Sequence, residues 1–272
     1  MLLLLADAPN LLPAIVLMSL ALGGSLVIWS QLLFGEGRAL PAASPPVFPS
    51  VTWSPWPLAV VLGWLAMASA ASLQVSSEPA RSAAEPEIVV LNTVVGMGIV
   101  AILLLLLHTS DPRGLAPFGI TRENWVLQLR LGCQGLLIAI GPVALSLWAT
   151  AALRPPETQH AYLQLLSNQP GAVLVALMVF AVCVVAPLLE ELLFRVIFQG
   201  WLRQAVGRWT AILTTAIAFA VIHGWRDSLP LLPLAVVLGW LYDRHRSYLA
   251  VVVTHGLFNG LMLTLQLLAT RE

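Results

Sequence analysis

Two adjacent carboxylates and an arginine interrupt an otherwise apolar run, APLLEELLFRVIFQGWL, at Glu190, Glu191 and Arg195. On a helix Glu191 and Arg195 are four apart and share a face, so they can pair. Glu190 points about 100° away and has no local partner. Pro187 just before it can loosen the helix and admit water. A second apolar run, AIAFAVIHG, ends in His223, with Phe219 one turn earlier on the same face. A third, VVVTHGLFNGLML, holds His255 and Asn259 four apart. A carboxylate and a neutral imidazole can jointly hold a water and take its proton. A second imidazole and an amide can donate hydrogen bonds to a developing oxyanion. Those are the parts for hydrolysing an amide. Glu190, His223 and His255 are also a familiar zinc ligand set, so residue types alone leave metal-free and metal-assisted water activation both open.

Each residue also has a plainer reading: a solvated span end for the Glu190 cluster, an interfacial histidine at 223, and helix packing for the last. Gly256 and Gly260 there form a GxxxG surface, which serves close helix contact. What favours chemistry is the combination. Ionisable groups in mid-bilayer cost about 2.5–3.5 kcal/mol each on insertion scales, and these fall on three apolar segments within seventy residues.

Those segments must cross a membrane. Of 272 residues, 59% are hydrophobic and 10% charged, with a mean hydropathy of +0.89. A soluble domain carries about 25% charged residues. Charges are absent between Asp7 and Glu36, Arg38 and Glu78, Glu87 and Asp111, Arg130 and Arg154, Glu157 and Glu190, and Arg246 and Arg271. A crossing helix needs about 20 apolar residues, so the expected fold is an all-α polytopic transmembrane helical bundle of about eight spans. They are read as Leu11 to Leu33, Pro55 to Leu73, Ile88 to Leu107, Leu131 to Leu153, Gly171 to about Leu202, Trp209 to Trp225, Leu229 to Leu241 and Tyr248 to Leu268. The seventh is short enough to be a half-helix. Residues 41–57, with six prolines, read as an irregular external or interfacial loop.

Net charge is zero and no basic run occurs, so nothing points to nucleic acid. Cys133 and Cys183 lie in apolar stretches, which argues against a structural disulfide. The start, MLLLLADAPN, lacks the positive region of a cleaved signal peptide. Arginine counts in the connections, nine against four, put both termini outside the cytoplasm; moving Arg195 into the membrane leaves eight against four. Counting the helical rise from the cytoplasmic ends puts Glu190 and His223 about 22 and 21 Å deep but His255 only about 10 Å. That mismatch demands tilt or a later start for one span.

The three clusters resemble the motifs of the CPBP family, which includes CAAX prenyl endopeptidases of the Rce1 type and bacterial abortive-infection or bacteriocin-immunity proteins. The family pattern is EExxxR, FxxxH and HxxxN or HxxxD. It is met in order by Glu190-Glu191-Leu-Leu-Phe-Arg195, Phe219-Ala-Val-Ile-His223 and His255-Gly-Leu-Phe-Asn259. The resemblance covers roughly Gly171 to Leu268. It implies residues 166–272 as an Rce1-like catalytic core and residues 1–165 as an N-terminal transmembrane region without a motif.

The resemblance further implies an intramembrane endopeptidase, glutamate- or metal-dependent, acting on a membrane-associated or lipidated substrate. Glu190 and His223 would activate water, His255 and Asn259 would line the oxyanion site, and Glu191, Arg195 and Phe219 would support them. A divalent metal such as zinc stays open as cofactor, with Glu190, His223 and His255 as its candidate ligands. The expected location is a bacterial inner membrane, with the site facing the cytoplasm. There is no HExxH, GxSG or GxGD pattern of other intramembrane protease types. The alternative is a non-catalytic binding or immunity-type protein using the same cluster. A proton-relay transporter would call for inverted repeats, which are not seen.

Overall fold

The computed structural model describes residues 12–35, 51, 53, 55–74, 86–153 and 171–270. Among these residues every regular element is helical and there is no strand. The chain forms α1 (Leu12–Phe34), α2 (Pro55–Gln74), α3 (Pro86–Ser110), α4 (Trp125–Ala149), α5 (Ala172–Val206), α6 (Arg208–Ile222), α7 (Trp225–His245) and α8 (Tyr248–Thr270). By length and composition α1, α3, α4, α5 and α8 can cross a membrane. The apolar part of α2, Pro55–Met67, and α6 are shorter. All eight expected helices are present, but only five meet the requirement for a span.

Three boundaries differ from expectation. The fourth helix starts at Trp125, before Leu131, and Leu153 belongs to a separate short 3₁₀ turn. α7 has 21 residues and is no half-helix, because it runs past its apolar stretch into polar ends at Asp227 and Arg244. In the proline-rich segment Val51 is buried and Trp53 packs edge-on against Phe118, so these two residues face the bundle and not solvent. The rest of residues 36–54 with Arg38, residues 1–11 with the expected first-span start at Leu11, and Arg81, Arg154 and Arg271 lie outside the described residues.

Three prolines determine how the helices lock together. A proline has no N–H, so it frees a carbonyl one turn earlier, and inside a bilayer that carbonyl needs another donor. Pro142 in α4 frees the Ile138 carbonyl, which takes a 3.0 Å hydrogen bond from Nε1 of Trp29 on α1. One turn before Trp29, the Ser25 hydroxyl accepts from the Gly141 amide at 3.1 Å. Pro233 in α7 frees the Leu229 carbonyl, and the Ser146 hydroxyl of α4 donates to it at 2.9 Å.

The third proline shapes α5. Between Ala181 and Val185 that helix widens into a π turn, where Ala186 N–H reaches back to the Ala181 carbonyl. The Val182 carbonyl loses Ala186 as donor, and the residue five on is Pro187, which has no N–H to give. Asn259 of α8 fills the gap, its Nδ2 donating at 2.9 Å. A second π segment spans Leu192–Gln199. Here Leu192, Leu193, Phe194, Val196 and Ile197 are all fully buried, so α5 runs through the centre of the bundle.

One end of the bundle is closed by its connections. The Tyr242 hydroxyl donates to the Phe118 carbonyl at 2.8 Å, Arg246 bonds the Pro117 carbonyl, and Tyr248 N–H meets the Gly119 carbonyl at 3.0 Å. Gly119 has φ +74°, and a Cβ there would collide with the Arg246 carbonyl, so the turn requires glycine.

Candidate active site

Glu190 and Glu191 lie on the short α-helical stretch Ala186–Glu191 between the two π segments of α5. π turns inside helices frequently mark functional sites. His223 follows the last residue of α6, and the Gly224 backbone at φ +84° turns the chain away at once. His255 lies two turns into α8.

The structure brings Glu190, Glu191, Arg195, Phe219, His223 and His255 together, whereas the Asn259 amide, one turn beyond His255 on α8, bonds the Val182 carbonyl. Oε2 of Glu190 is 3.7 Å from Nε2 of His223 and 3.8 Å from Nε2 of His255. Both separations are too long for a direct hydrogen bond, and Oε2 has no hydrogen-bond partner among the described residues. The other ring nitrogens are committed. Nδ1 of His223 donates to the Phe219 carbonyl at 2.6 Å. Nδ1 of His255 donates to Oε1 of Glu191 at 2.8 Å. With Nδ1 protonated, a neutral His223 ring presents a bare Nε2, while His255 can carry a second proton balanced by the Glu191 carboxylate. Both Nε2 atoms lie within 4 Å of the same unpaired Glu190 oxygen.

Glu191 does more than pair along its own helix. Its Oε2 meets Nε of Arg195 at 3.2 Å while its other oxygen holds His255, and carboxylate and guanidinium are both fully buried. Phe219 is the packing centre: its ring is 4.5 Å from His223 and 5.7 Å from His255, and Arg195 lies 5.2 Å over it. Exposure is graded. The side chains of His223 and Glu190 are 27% and 17% exposed, against 4% for His255. Access is thus on the Glu190–His223 side, with His255 and Glu191 behind.

A tetrahedral zinc with bonds of about 2.0–2.1 Å would set its donors about 3.3 Å apart. The Glu190–imidazole separations are wider, and among the described residues no three His, Cys, Asp or Glu side chains form a metal-ligand group. The side chains as placed do not fit such an ion.

The depth mismatch is met by where α8 starts. α8 starts inside the bundle, its first residue Tyr248 covered by the turn at Phe118 and Gly119 and its hydroxyl donating to the Leu188 carbonyl at 2.6 Å. Tyr248 escaped the sequence reading, although it lies seven residues before His255 and therefore on the same face of α8. Gln199 escaped it too. This buried side chain donates to the Gly239 carbonyl at 2.8 Å and ties α5 to α7.

The family model described as type II CAAX prenyl endopeptidase Rce1-like matches residues 172–261, a third of the chain. No curated protein and no solved structure matches. The matched stretch begins with α5 and takes in all seven motif residues. Residues 172–261 are similar to the Rce1-like domain of CAAX prenyl endopeptidases, and the long apolar helices are those of an integral membrane protein of helical build.

Proposed function

We propose that this protein is an intramembrane endopeptidase that hydrolyses a peptide bond of a membrane-associated or lipidated substrate, using a water activated by Glu190 and His223 without a metal. The observation that carries this reading is the convergence of the Glu190 carboxylate with the Nε2 atoms of two histidines. A single water between them can donate one proton to Oε2 and the other to Nε2 of His223, while accepting from Nε2–H of a His255 that is protonated at both ring nitrogens. The Rce1-like domain supports protease activity of the CAAX type.

Glu190 takes one proton as the water oxygen attacks the scissile carbonyl carbon, while His223 accepts a hydrogen bond from the other. The oxyanion forms towards His255 and Asn259. Because Nδ1 of His255 is spent on Glu191, the ring donates to the oxyanion only as imidazolium, and the Glu191 carboxylate supplies the countercharge. Asn259 donates through the N–H that Val182 leaves unused. Glu190 then returns its proton to the leaving nitrogen. In the same proposal the membrane is a bacterial inner membrane, and the arginine-rich end, with Arg203, Arg208, Arg244 and Arg246, faces the cytoplasm.

The test compares peptide termini in membranes of cells making the wild type or Glu190→Gln at matched levels. Termini that vanish with Glu190→Gln establish proteolysis and name the substrate. Identical termini from two folded, abundant proteins favour a binding protein. Activity of the purified enzyme should survive EDTA; loss that zinc restores would refute the metal-free mechanism.

A further inference from the structure

We propose that Tyr248 is a positioning residue of the site: its hydroxyl holds the turn of α5 that carries Glu190 and Glu191 against the start of α8. The bond thereby sets how both carboxylates stand to His255. Its meaning for catalysis rests on the endopeptidase reading above. Tyr248 is buried and is bonded at both ends. Its hydroxyl donates to the Leu188 carbonyl at 2.6 Å, and its N–H donates to the Gly119 carbonyl at 3.0 Å.

The Leu188 carbonyl lies where α5 changes its hydrogen-bond register. In a regular α-helix the Leu192 N–H would belong to Leu188 alone. Here it is shared with the Leu189 carbonyl, and the second π segment begins at Leu192. Such three-centre bonds are common at helix termini, yet Glu190 and Glu191 sit inside this divided turn. The Tyr248 hydroxyl gives the Leu188 carbonyl a second donor there. The base of Tyr248 is fixed in turn. Beside it the Ser247 hydroxyl donates to Oε1 of Gln128 on α4 at 2.7 Å and accepts the Ala250 N–H at 3.1 Å. The Gln128 amide is itself spent on the Thr121 and Glu123 carbonyls, at 3.1 and 2.7 Å. The ring therefore reaches from an anchored base to the divided turn. Along α8, Tyr248 and Asn259 flank His255, and each bonds a carbonyl of α5. Between them lies the 2.8 Å bond from His255 to Glu191 and the 3.8 Å separation from Glu190.

The experiment uses the full-length protein in detergent, labelled with nitrogen-15 histidine, with the His255 ring signals assigned by their loss in His255→Gln. Tyr248→Phe deletes only the hydroxyl, and p-aminophenylalanine in place of Tyr248 restores a donor. Ser146→Ala, which removes the bond to the Leu229 carbonyl, controls for lost stability. Tyr248→Phe should shift the His255 signals. On a peptide whose cleavage depends on Glu190, it should lower kcat by about 10–100-fold, the scale of a misplaced catalytic group, with KM unchanged. The p-amino variant should restore signals and kcat, and Ser146→Ala should move neither. The proposal is overturned by His255 signals or a kcat that Tyr248→Phe leaves in place, by an equal change with Ser146→Ala, or by a loss that the p-amino variant does not restore. Absence of any Glu190-dependent cleavage would refute the endopeptidase reading alone, because the His255 signals test Tyr248 without turnover.

Discussion

Asn259 donates its Nδ2–H to the Val182 carbonyl across 2.9 Å, and that carbonyl is free because the next available position on α5 is Pro187. One side chain therefore serves both the join between α5 and α8 and the proposed oxyanion site. The two roles are separable. Asn259→Ala should cost about 1–3 kcal/mol, the penalty for orphaning a buried carbonyl, and abolish most activity. Adding Pro187→Ala supplies an N–H for Val182, so stability should recover in part while activity stays low. Denaturant midpoints in detergent, read beside turnover, form the cycle. Recovery of both together would show that Asn259 acts only through packing.

Glu191→Gln keeps the shape of the side chain but removes the charge shared by Arg195 and His255. A buried guanidinium stripped of its partner costs about 3–5 kcal/mol. Activity should fall by about 10²–10⁴-fold, since the ring loses its orienting carboxylate. Unfolding midpoints and kcat measured on the same preparation check both; a stable variant with normal kcat would remove Glu191 from the site.

Two glycines four residues apart on α8 should respond differently to alanine. A Cβ on Gly256 would come 2.4 Å from the Cys183 carbonyl oxygen, which is backbone and cannot move aside, whereas one on Gly260 finds only Cys183 Sγ at 3.7 Å. Gly256→Ala should destabilise by about 1–3 kcal/mol and displace His255 and Asn259 from α5. Gly260→Ala should be close to neutral. Thermal unfolding of the two variants side by side decides this.

Asp111, beyond the end of α3, is held at a pKa of about 2, first by the Arg113 side chain, then by the Arg113 amide. The depressed value means the folded state favours the charged form. Its contribution is complete above the unfolded pKa of about 3.9 and disappears as pH falls from about 4 to about 2. The difference in unfolding midpoint between wild type and Asp111→Asn should be constant from pH 5 to 8 and shrink to nothing across that acid window.

The helices and the candidate site residues were legible in the chain itself. Charge-free windows the length of a bilayer have few alternatives to helix, because every buried peptide group must be bonded within its own segment. Glu190, His223, His255 and Asn259 stood out because ionisable and amide groups inside such windows carry a cost that function must justify. The ends of α7 were not legible, since hydropathy marks where a helix leaves lipid and not where its hydrogen bonds stop.

Only the tertiary structure decided which tautomers and which carbonyls matter. Trp29 and Ile138, Ser146 and Leu229, and Asn259 and Val182 are more than seventy residues apart in each case. No local spacing relates them; a proline frees an acceptor whose donor is whichever side chain the neighbouring helix presents. The same holds for Glu191, whose pairing with Arg195 follows from helical periodicity while its hold on His255 follows from packing. Residue types and helical spacing set the chemistry available, and helix contacts determined which atoms face Glu190, because hydrogen bonds act over about 3 Å and the chain brings distant residues that close only by folding.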